Sequence, residues 1–416
     1  MSLTNEGESG LDGGGPPIAR QMSLHAVTQT LLSRGAVSRA DLAKLTGLSR
    51  QTISDVVREL EQDGWLTPLG RTEGKPGRSS VVYELTGAAG LAAALDLGGT
   101  KLNVAICDLR GNVVAETLVP TEARGGRHVV DQIVTEIEGL VAGIGATGRR
   151  LRLVVLGTPG VFHPETTHIV AAPNVPGLDQ IDVPALLEQR LGAPVLIEND
   201  VNLAARGEQW RGHGAGLRNF VFIALGTGVG MGIVANGQLL RGARGAAGEI
   251  GYLPIGGDPY DARGFQLGTL EHAIGSAAMS DRYAGYGGAP GTSVRAIFDA
   301  LATGDAAAVA TIEETARLIA PAIAAVSATL DPEMVIVGGS IGIRSELLEP
   351  IRRFVVRCSP FPVRIEPSVL GGRAALVGAI KTAIDHMHGS LFGVDSPTLK
   401  ANGLHPVAAP VSQTVE

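Results

Sequence analysis

Apolar residues recur with a helical period in the first part of the chain and form compact, strand-like runs after it. Leu24, Val27 and Leu31 are spaced three and four positions apart, and the same spacing returns over Ile53–Leu60. Further along, short apolar runs such as Leu151–Leu156 are followed by glycine-containing loops, which is typical of buried strands. The pattern predicts a small, mostly helical domain followed by a larger α/β domain.

These patterns divide the 416 residues into four segments, a length that suits two or three domains. The first 18 residues are rich in Gly, Ser, Glu and Pro and are predicted to form a disordered tail. We place the helical domain at residues 19–88 and the α/β domain at residues 89–385. Residues 386–416 lack a regular period and are predicted to be a flexible tail.

The helical domain contains a predicted helix-turn-helix. Ser38 and Asp41 form a capping-box pattern ahead of a short helix over Ala40–Leu45. Gly47 marks the turn, and Ser49 is the predicted N-cap of the next helix. In this motif the second helix lies in the major groove of DNA, with its first residues at the base edges.

A basic hairpin follows the helix-turn-helix and completes a winged motif. Predicted strands at Trp65–Thr67 and Val81–Leu85 flank a stretch that is rich in glycine and basic residues. An alternative is a helical bundle that mediates only protein contacts. The predicted DNA contacts, from the second helix and then the wing, are Ser49, Arg50, Gln51, Thr52, Ser54, Arg58, Arg71, Lys75 and Arg78.

The α/β domain opens on a strand, a glycine turn and a second strand within Leu95–Val114. Asp96 ends the first strand, and Gly98 and Gly99 allow the backbone to approach a phosphate. Thr100 and Lys101 add side-chain donors, and Asp96 could hold a hydrated metal ion. An ordinary glycine hairpin is the alternative interpretation of this stretch.

Three further motifs follow in a set order. Two are strand–glycine turns, at Leu225–Gly232 and Val335–Ser340, and between them and the first turn lies Val195–Glu208, a strand that ends in a carboxylate and leads into a helix. Together the four motifs resemble the actin/hexokinase-like sugar kinases, and specifically the ROK family of repressors, open reading frames and kinases. The resemblance covers about Leu91–Ala383 and implies an α/β domain of two lobes that close on a cleft. ROK repressors carry a winged helix-turn-helix ahead of this domain, whereas the plain kinases do not.

The resemblance implies a nucleotide site with ATP and Mg²⁺ as its possible cofactors. In the family the first two glycine turns face the ATP phosphates and the third lies near the adenosine. The residues implied here are Asp96, Gly98, Gly99, Thr100, Lys101, Gly226, Thr227, Gly228, Gly338 and Gly339.

A sugar site and a catalytic base are implied by the same resemblance. Asp200 follows a buried strand and could take a proton from a sugar hydroxyl as it attacks a phosphoryl group. Alternatively, Asp200 could cap the helix Val201–Glu208, and Asn174 could form only an Asx-turn. The implied sugar-site residues are Thr158, Gly160, Asn174, Asn199, Asp200, Glu249, Tyr252 and Glu271.

The chain departs from the family pattern where the family binds a structural zinc. Tyr252 replaces the family histidine, and no cysteine remains in residues 261–271. A tetrahedral zinc site needs thiolate or imidazole ligands, so we expect no structural zinc. We expect instead that apolar packing of Tyr260, Phe265 and Leu267 holds this loop.

Composition restricts the class of protein and its compartment. The formal net charge is −7, so any nucleic-acid site must be local. Cys107 and Cys358 lie at no metal-binding spacing, and we expect them to be reduced thiols, with Cys107 buried. No leader or membrane-spanning run is apparent, and we expect a cytoplasmic protein.

The sequence therefore predicts a sugar-responsive, DNA-binding regulator, most simply a repressor of carbohydrate-metabolism genes without significant turnover. Its partners would be operator DNA and a sugar or sugar derivative, and a homodimer or a dimer of dimers is expected because operators are usually two-fold. The alternative is an ATP-dependent sugar kinase, for hexoses or amino sugars, that also carries a DNA-binding domain.

Overall fold

The computed structural model of this protein describes residues 18–71, 80–86, 90–145, 151–163, 166–170 and 174–392. The chain separates into two compact units. One unit comprises Met1–Ala89 together with His386–Glu416, and the other comprises Gly90–Asp385. The predicted N-terminal tail, Lys75 and Arg78 of the wing, and residues 393–416 lie outside the described residues.

The first unit has a helix-turn-helix with a small sheet beside it. Val27, Leu42, Ile53 and Val57 are fully buried between its helices, and Tyr83 contributes from the sheet. The sheet has the order β1-β3-β2, and all its pairings are antiparallel. Its elements are α1 (Ile18–Arg34), β1 (Val37–Ser38), α2 (Arg39–Thr46), α3 (Arg50–Gln62), β2 (Leu66–Arg71) and β3 (Val81–Leu85).

Local capping fixes the geometry of the helix-turn-helix as the sequence predicted. The Ser38 hydroxyl accepts a hydrogen bond from the backbone N–H of Asp41 and donates one to the Asp41 carboxylate. Gly47 ends α2 in the left-handed conformation at φ 72°, where a side chain would be strained. Ser49 then caps α3 by accepting from the N–H of Thr52.

The first lobe of the second unit is a mixed sheet covered by two helices. Its strand order is β10-β7-β4-β5-β6, in which β4, β7 and β10 are parallel and β5 and β6 form an antiparallel meander. A separate hairpin pairs β8 with β9. The elements are β4 (Leu91–Leu97), β5 (Lys101–Asp108), β6 (Val113–Pro120), α4 (Gly126–Gly143), β7 (Leu151–Thr158), β8 (Val161–His163), β9 (His168–Val170), α5 (Val183–Leu191) and β10 (Val195–Asn199).

The second lobe repeats this plan with the order β13-β12-β11-β14-β15, where β11, β14 and β15 are parallel. Its core lies between the sheet and the long helix α11, as Ile223, Val337 and Ile323 show by their burial. Its elements are α6 (Asp200–Arg211), β11 (Phe220–Leu225), β12 (Val229–Ala235), β13 (Gln238–Leu239), α7 (Ala262–Leu267), α8 (Thr269–Ile274), α9 (Ser276–Gly285), α10 (Val294–Ala302), α11 (Ala306–Leu330), β14 (Met334–Gly338), α12 (Gly339–Gly342), α13 (Ser345–Cys358), β15 (Ile365–Pro367) and α14 (Ala374–Phe392).

Helices α6 and α14 cross backbone to backbone through glycine. A Cβ on Gly207 would collide with the carbonyl oxygen of Ala374, and one on Gly378 would collide with the carbonyl oxygen of Leu203. Only glycine allows this separation, because any side chain at the crossing would push the helices apart. Glycine at these two positions therefore determines how closely α6, which carries Asp200, packs against α14.

Helix α11 runs through Pro321 without interruption, since residues 306–330 form a single helix. The predicted flexible tail does not begin at residue 386, because α14 continues to Phe392 and His386 and Met387 are buried. Residues 386–392 are therefore helical, not part of a flexible tail. Cys107 is buried in β5, as predicted.

Candidate functional site

Three strand ends meet at one edge of the first sheet and carry predicted site residues. In the parallel register Asp96 pairs with Gly157, and Gly157 pairs with Glu198. Thr158 and Asn199 pair one step further along. The carboxyl ends of parallel strands form the usual ligand crevice of an α/β sheet, so the register brings Asp96 and the Glu198–Asp200 segment to the same edge.

Asn199, not Asp200, is the N-cap of α6. The Asn199 Oδ1 accepts from the N–H groups of Val201 and Asn202, while its Nδ2 donates to the carbonyl of Gly160 at 3.0 Å. Both ends of this amide are engaged, which gives Asn199 a positioning role between α6 and the loop at Gly160. Asp200 accepts from Val201 N–H with one oxygen only, so the alternative in which it serves as the helix cap is wrong.

Asp200 lies at the centre of a row of carboxylates. Burial, followed by the nearby charges of Asp96 and Glu249, raises the pKa of Asp200 to about 7. Burial alone raises the pKa of Asp96 to about 6. Burial and the neighbouring Glu271 raise the pKa of Glu249. A carboxylate whose pKa lies near neutrality can act as a general base, and its perturbed pKa marks a candidate functional site.

Glu271 joins the predicted sugar site to the second glycine turn. Its Oε2 accepts a 2.8 Å hydrogen bond from the N–H of Val229. A Cβ on Gly228 would lie 2.7 Å from the same oxygen, so glycine is needed for the carboxylate to reach the backbone. Burial raises the pKa of Glu271 and the Val229 hydrogen bond opposes this shift.

The second and third glycine turns lie side by side. Leu225 ends β11 and Gly338 ends the neighbouring parallel strand β14. A Cβ on Gly339, whose φ is 79°, would collide with the Leu225 carbonyl, and Gly226 faces the Ser340 hydroxyl. The N–H of Gly226 donates to the carbonyl of Gly228 at 3.0 Å, so this group is used within the turn. The phosphate-facing role implied for Gly226–Gly228 stays a prediction.

The first glycine turn is open to solvent and touches a predicted sugar residue. A Cβ on Gly99 would lie 2.8 Å from the Cβ of Asn174, which explains the glycine. Thr100 and Lys101 are exposed and available as donors. Thr158, in contrast, is fully buried, and its hydroxyl donates to the carbonyl of Pro159. It therefore has a structural role and is not exposed to a ligand.

The sequence analysis did not identify Arg241 as part of this region. Its guanidinium forms a 2.6 Å ion pair with Glu198, and both side chains are mostly buried. The other oxygen of Glu198 accepts from Asn202 Nδ2 and from the N–H of Asn199. Arg241 thus ties the segment after β13 in the second lobe to the strand that leads to Asp200. No spacing rule links positions 198 and 241, so this pair could not be found from the sequence.

The loop at the family's zinc position is not held by apolar packing, contrary to our expectation. The side chains of Tyr260, Phe265 and Leu267 are 94%, 82% and 45% exposed. The loop is held by its backbone: Gly268, at φ 85°, packs against the carbonyl of Gly251, and Asp261 caps α7 by accepting from the N–H of Arg263. Short-range backbone contacts therefore replace a buried core here.

Tyr252 lies over α7 at the edge of this loop. Its side chain is half exposed, and its hydroxyl donates to the carbonyl of Gln266 at 3.4 Å.

Within the parts of the chain that the structure describes, no group of three or more His, Cys, Asp or Glu side chains is placed to hold a metal ion. Among the same residues, no helix is long and apolar enough to cross a membrane.

The predicted DNA-facing residues divide into outward and flanking positions on α3. Arg50, Gln51 and Arg58 are exposed, whereas Thr52 and Ser54 are half-buried. The Ser49 hydroxyl is engaged in the cap and contacts the Thr52 hydroxyl at 2.9 Å. Asp55, which was not predicted as a contact, is also exposed on this helix. The side chain of Arg71 and all of Lys75 and Arg78 lie outside the described residues.

These features define a two-lobed α/β protein with a group of neighbouring carboxylates at strand ends and a helix-turn-helix unit in the same chain. The model of the ROK family matches residues 92–386, and a winged helix-turn-helix DNA-binding model matches residues 29–67. The chain therefore belongs to the ROK family, and its first unit is a winged helix-turn-helix.

Similar proteins fall into two groups. A xylose repressor of Caldicellulosiruptor bescii is 26% identical over 392 residues, which are 90% of this chain and 98% of the repressor. A glucokinase of Streptomyces coelicolor is 32% identical over 317 residues, which are 71% of this chain and 98% of the kinase. Full-length similarity thus extends to a regulator, whereas similarity to the kinase is confined to part of the chain.

Solved structures show the same division. The crystal structure of a ROK family transcriptional regulator, described as a homologue of the E. coli MLC protein, covers 91% of this chain and all of its own, with a TM-score of 0.73 and 26% identity. A ROK glucokinase from Streptomyces griseus, in complex with glucose and AMPPNP, covers 70% of this chain and 98% of its own, with a TM-score of 0.57 and 28% identity.

Proposed function

We propose that this protein is a sugar-responsive repressor that binds operator DNA through α3 and senses a sugar at the cleft around Asp200. One observation carries the proposal: a capped helix-turn-helix and a ROK-family α/β domain with neighbouring carboxylates around Asp200 occur in a single chain. The relatives that match this chain over nearly its whole length are named as repressors or as a transcriptional regulator. Its two proposed partners are therefore operator DNA, with α3 in the major groove, and a sugar bound near Asp200.

The DNA-binding role is supported by the chemistry of α3. Its inner face buries Ile53, Val56, Val57 and Leu60, and its outer face is left free for the groove. Arg50 and Arg58 place cations on that outer face, where phosphates would attract them. Because the net charge of the whole chain is acidic, electrostatic attraction to DNA has to come from local basic regions such as this one.

The sensing role is supported by the arrangement of groups that can hydrogen-bond sugar hydroxyls. The nearby charge of Glu249 contributes to the raised pKa of Asp200, and the nearby charge of Glu271 contributes to the raised pKa of Glu249. Sugar hydroxyls donate to carboxylates, so a bound sugar would add hydrogen bonds to those that Asp200 and Glu271 already accept from backbone N–H groups. Sugar binding changes DNA affinity only if the sugar binds two conformations of the protein unequally.

A second candidate function is ATP-dependent phosphorylation of the bound sugar. The observation in its favour is Asp200, whose pKa of about 7 suits a general base at neutral pH. The first glycine turn also presents exposed Thr100 and Lys101, whose side chains can donate to a polyphosphate. Asp96 is the residue here that would hold a hydrated Mg²⁺, which would supply charge neutralisation of the phosphates.

The deciding experiment is fluorescence anisotropy of the full-length protein on a labelled duplex from its own upstream region, at one fixed salt concentration. Xylose, glucose and ATP are added in turn, and ADP release is measured in parallel. We expect specific binding that one sugar shifts, and loss of that shift in Glu249→Ala. The exposed Glu138→Ala on α4 is the control and keeps the full response.

The two functions predict different results in this assay. DNA binding with a sugar-dependent shift, and no ADP release, supports the repressor. ADP release that Asp200→Asn abolishes establishes the kinase. If specific DNA binding is absent and ADP release depends on sugar, the protein is a sugar kinase and the proposed repressor function is wrong.

A further inference from the structure

The segment that follows β13 connects the second lobe to the first. We call residues 241–249 the strap. A 3.0 Å hydrogen bond from the Ala247 N–H to the Arg241 carbonyl closes it into a loop. Near its middle, Gly245 packs so closely on β8 that a Cβ would lie 3.3 Å from the Phe162 carbonyl oxygen. The strap thus leaves a strand of the second lobe and contacts a strand of the first.

Arg241 anchors the start of the strap to the strand that precedes Asp200. Its Nε donates to the Oε2 of Glu198 at 2.6 Å, and the two side chains are only 24% and 12% exposed. A short, charged hydrogen bond that is largely shielded from water is stronger than a surface ion pair. Removal of one partner would leave the charge of the other without compensation.

Glu198 connects the strap to the first turn of α6. Its second oxygen accepts from the Asn202 Nδ2 at 3.0 Å and from the Asn199 N–H at 3.1 Å. Asn199 in turn caps α6 and donates to the Gly160 carbonyl. Asp200 is the first residue of this helix. One carboxylate therefore joins the strap to the groups that fix the position of Asp200.

The other end of the strap carries Glu249. The residue before it, Gly248, has a φ of 98°, and its carbonyl accepts from the Met231 N–H at 3.0 Å. A side chain would be strained at this φ, so glycine fixes the path of the backbone into Glu249. The nearby charge of Glu249 contributes to the raised pKa of Asp200. Both ends of the strap therefore lie close to the first turn of α6.

We propose that Arg241 is a positioning residue of the sugar site and sets the affinity for sugar by acting through Glu198. The ion pair holds Asp200 and Glu249, which come from separate segments of the chain, at a fixed separation. Hydrogen bonds depend steeply on distance and angle, so a small displacement of either carboxylate weakens sugar binding. The inference rests on the proposed sugar-sensing function. It adds a residue that lies outside the predicted set of site residues.

The test is isothermal titration calorimetry of the full-length protein with xylose, glucose and N-acetylglucosamine. Wild type is compared with Arg241→Gln, with Glu198→Gln and with the double variant. The double variant leaves no unpaired charge, so it reports on the pair even where a single variant is too unstable to purify. Arg206→Gln is the matched control, because it breaks a similarly buried ion pair between α6 and Asp385 of α14.

We expect each single variant to bind the sugar about tenfold more weakly than wild type. The double variant should also lose about tenfold and not about a hundredfold, because the two residues act as one unit. Arg206→Gln should keep the wild-type affinity.

Hydrogen exchange followed by mass spectrometry gives a second readout that needs no sugar. The amides of residues 199–202 are held by Glu198 and by the Asn199 cap. Their exchange should therefore be faster in Arg241→Gln and in the double variant, and unchanged in Arg206→Gln. General destabilisation would instead accelerate exchange throughout the second unit.

The outcomes separate the inference from the proposed function. If wild type binds a sugar and the double variant binds it equally well, Arg241 has no positioning role and the sugar-sensing function stands. A hundredfold loss in the double variant would show that Arg241 acts independently of Glu198, which also refutes the inference. So would an equal loss of affinity in Arg206→Gln, or unchanged exchange at residues 199–202 in the double variant. If wild type binds none of the three sugars, the proposed sugar sensing fails and the inference falls with it.

Discussion

Glu271 accepts a hydrogen bond from the backbone N–H of Val229, and this one contact links the carboxylate row of the cleft to the second glycine turn. Val229 is the first residue of β12 and follows Gly226–Gly228 directly. A ligand that bonds to Glu271 therefore acts on a group that already fixes the position of the turn. The predicted sugar site and the predicted phosphate site would therefore share this residue.

Truncation of Glu271 should destabilise the protein, whereas its isosteric replacement should not. In Glu271→Ala the buried Val229 N–H loses its acceptor, and we expect a loss of about 1–3 kcal/mol in the free energy of unfolding. Glu271→Gln retains an acceptor oxygen and removes repulsion toward Glu249. Urea denaturation at pH 7 measures both variants. Equal losses in the two variants would mean that the hydrogen bond is not what stabilises this turn.

Removal of the Asp200 carboxylate should stabilise the protein at high pH only. The Asp200 pKa is about 7 in the folded protein and 3.8 for the unperturbed group. The folded state thus binds this proton more tightly, and the carboxylate lowers stability progressively as the pH rises from about 4 to about 7. We expect Asp200→Asn to be more stable than wild type by about 2–4 kcal/mol at pH 8.

The same variant provides its own control at low pH. At pH 4 the folded wild type carries the Asp200 proton and most of the penalty disappears, so the two proteins should unfold at nearly the same urea concentration. A stability difference between wild type and Asp200→Asn that is constant from pH 4 to pH 8 would contradict the raised pKa.

The glycine crossing between α6 and α14 should not tolerate a methyl group. Gly207→Ala places its Cβ against the Ala374 carbonyl, and the helices must separate to accept it. We expect a loss of about 2–4 kcal/mol, larger than a typical substitution. The control is Gly139→Ala on α4, where a Cβ has open space and should stabilise by about 0.5–1 kcal/mol. Thermal melts of both variants suffice, and a tolerated Gly207→Ala would disprove the close crossing.

Glu208 should be one of the most sensitive buried polar residues of the second unit. It is fully buried on α6, and its carboxylate accepts from the Ser368 hydroxyl at 2.5 Å and from the N–H of His213 at 2.8 Å. We expect Glu208→Ala to cost about 3 kcal/mol and Ser368→Ala about 2 kcal/mol.

A double-mutant cycle separates this contact from general damage. Because the two side chains bond to each other, Glu208→Ala with Ser368→Ala should cost at least 1 kcal/mol less than the sum of the single losses, by roughly the coupling expected for direct contacts. Additive losses in urea denaturation would show that the two residues stabilise the fold independently.

The absence of a structural zinc stays a prediction from the missing thiolates of residues 261–271. Purified protein should contain no stoichiometric zinc by elemental analysis, and a chelator should leave its melting temperature unchanged. One zinc per chain, or a lower melting temperature after chelation, would refute the prediction.

The sequence by itself determined the local features of the fold. The caps Ser38 and Ser49, the αL glycine Gly47 and the buried face of α3 all follow from short-range rules, because each depends on residues within a few positions of one another. The order of four specific motifs also identified the family, and with it the two-lobed fold. These elements needed no knowledge of which distant segments meet.

Only the tertiary structure decided which groups of the site bond to one another. Asn199 and Asp200 are adjacent candidates for the N-cap of α6. Asn199 is the N-cap, because its amide donates to the Gly160 carbonyl and accepts from the N–H of Asn202. The Glu198–Arg241 pair depends on segments that only folding brings together. Tyr260 and Phe265 look like core residues by type, yet the backbone packing of their loop leaves them in solvent. Hydrogen-bond partners and burial depend on long-range geometry, which residue spacing along the chain does not encode.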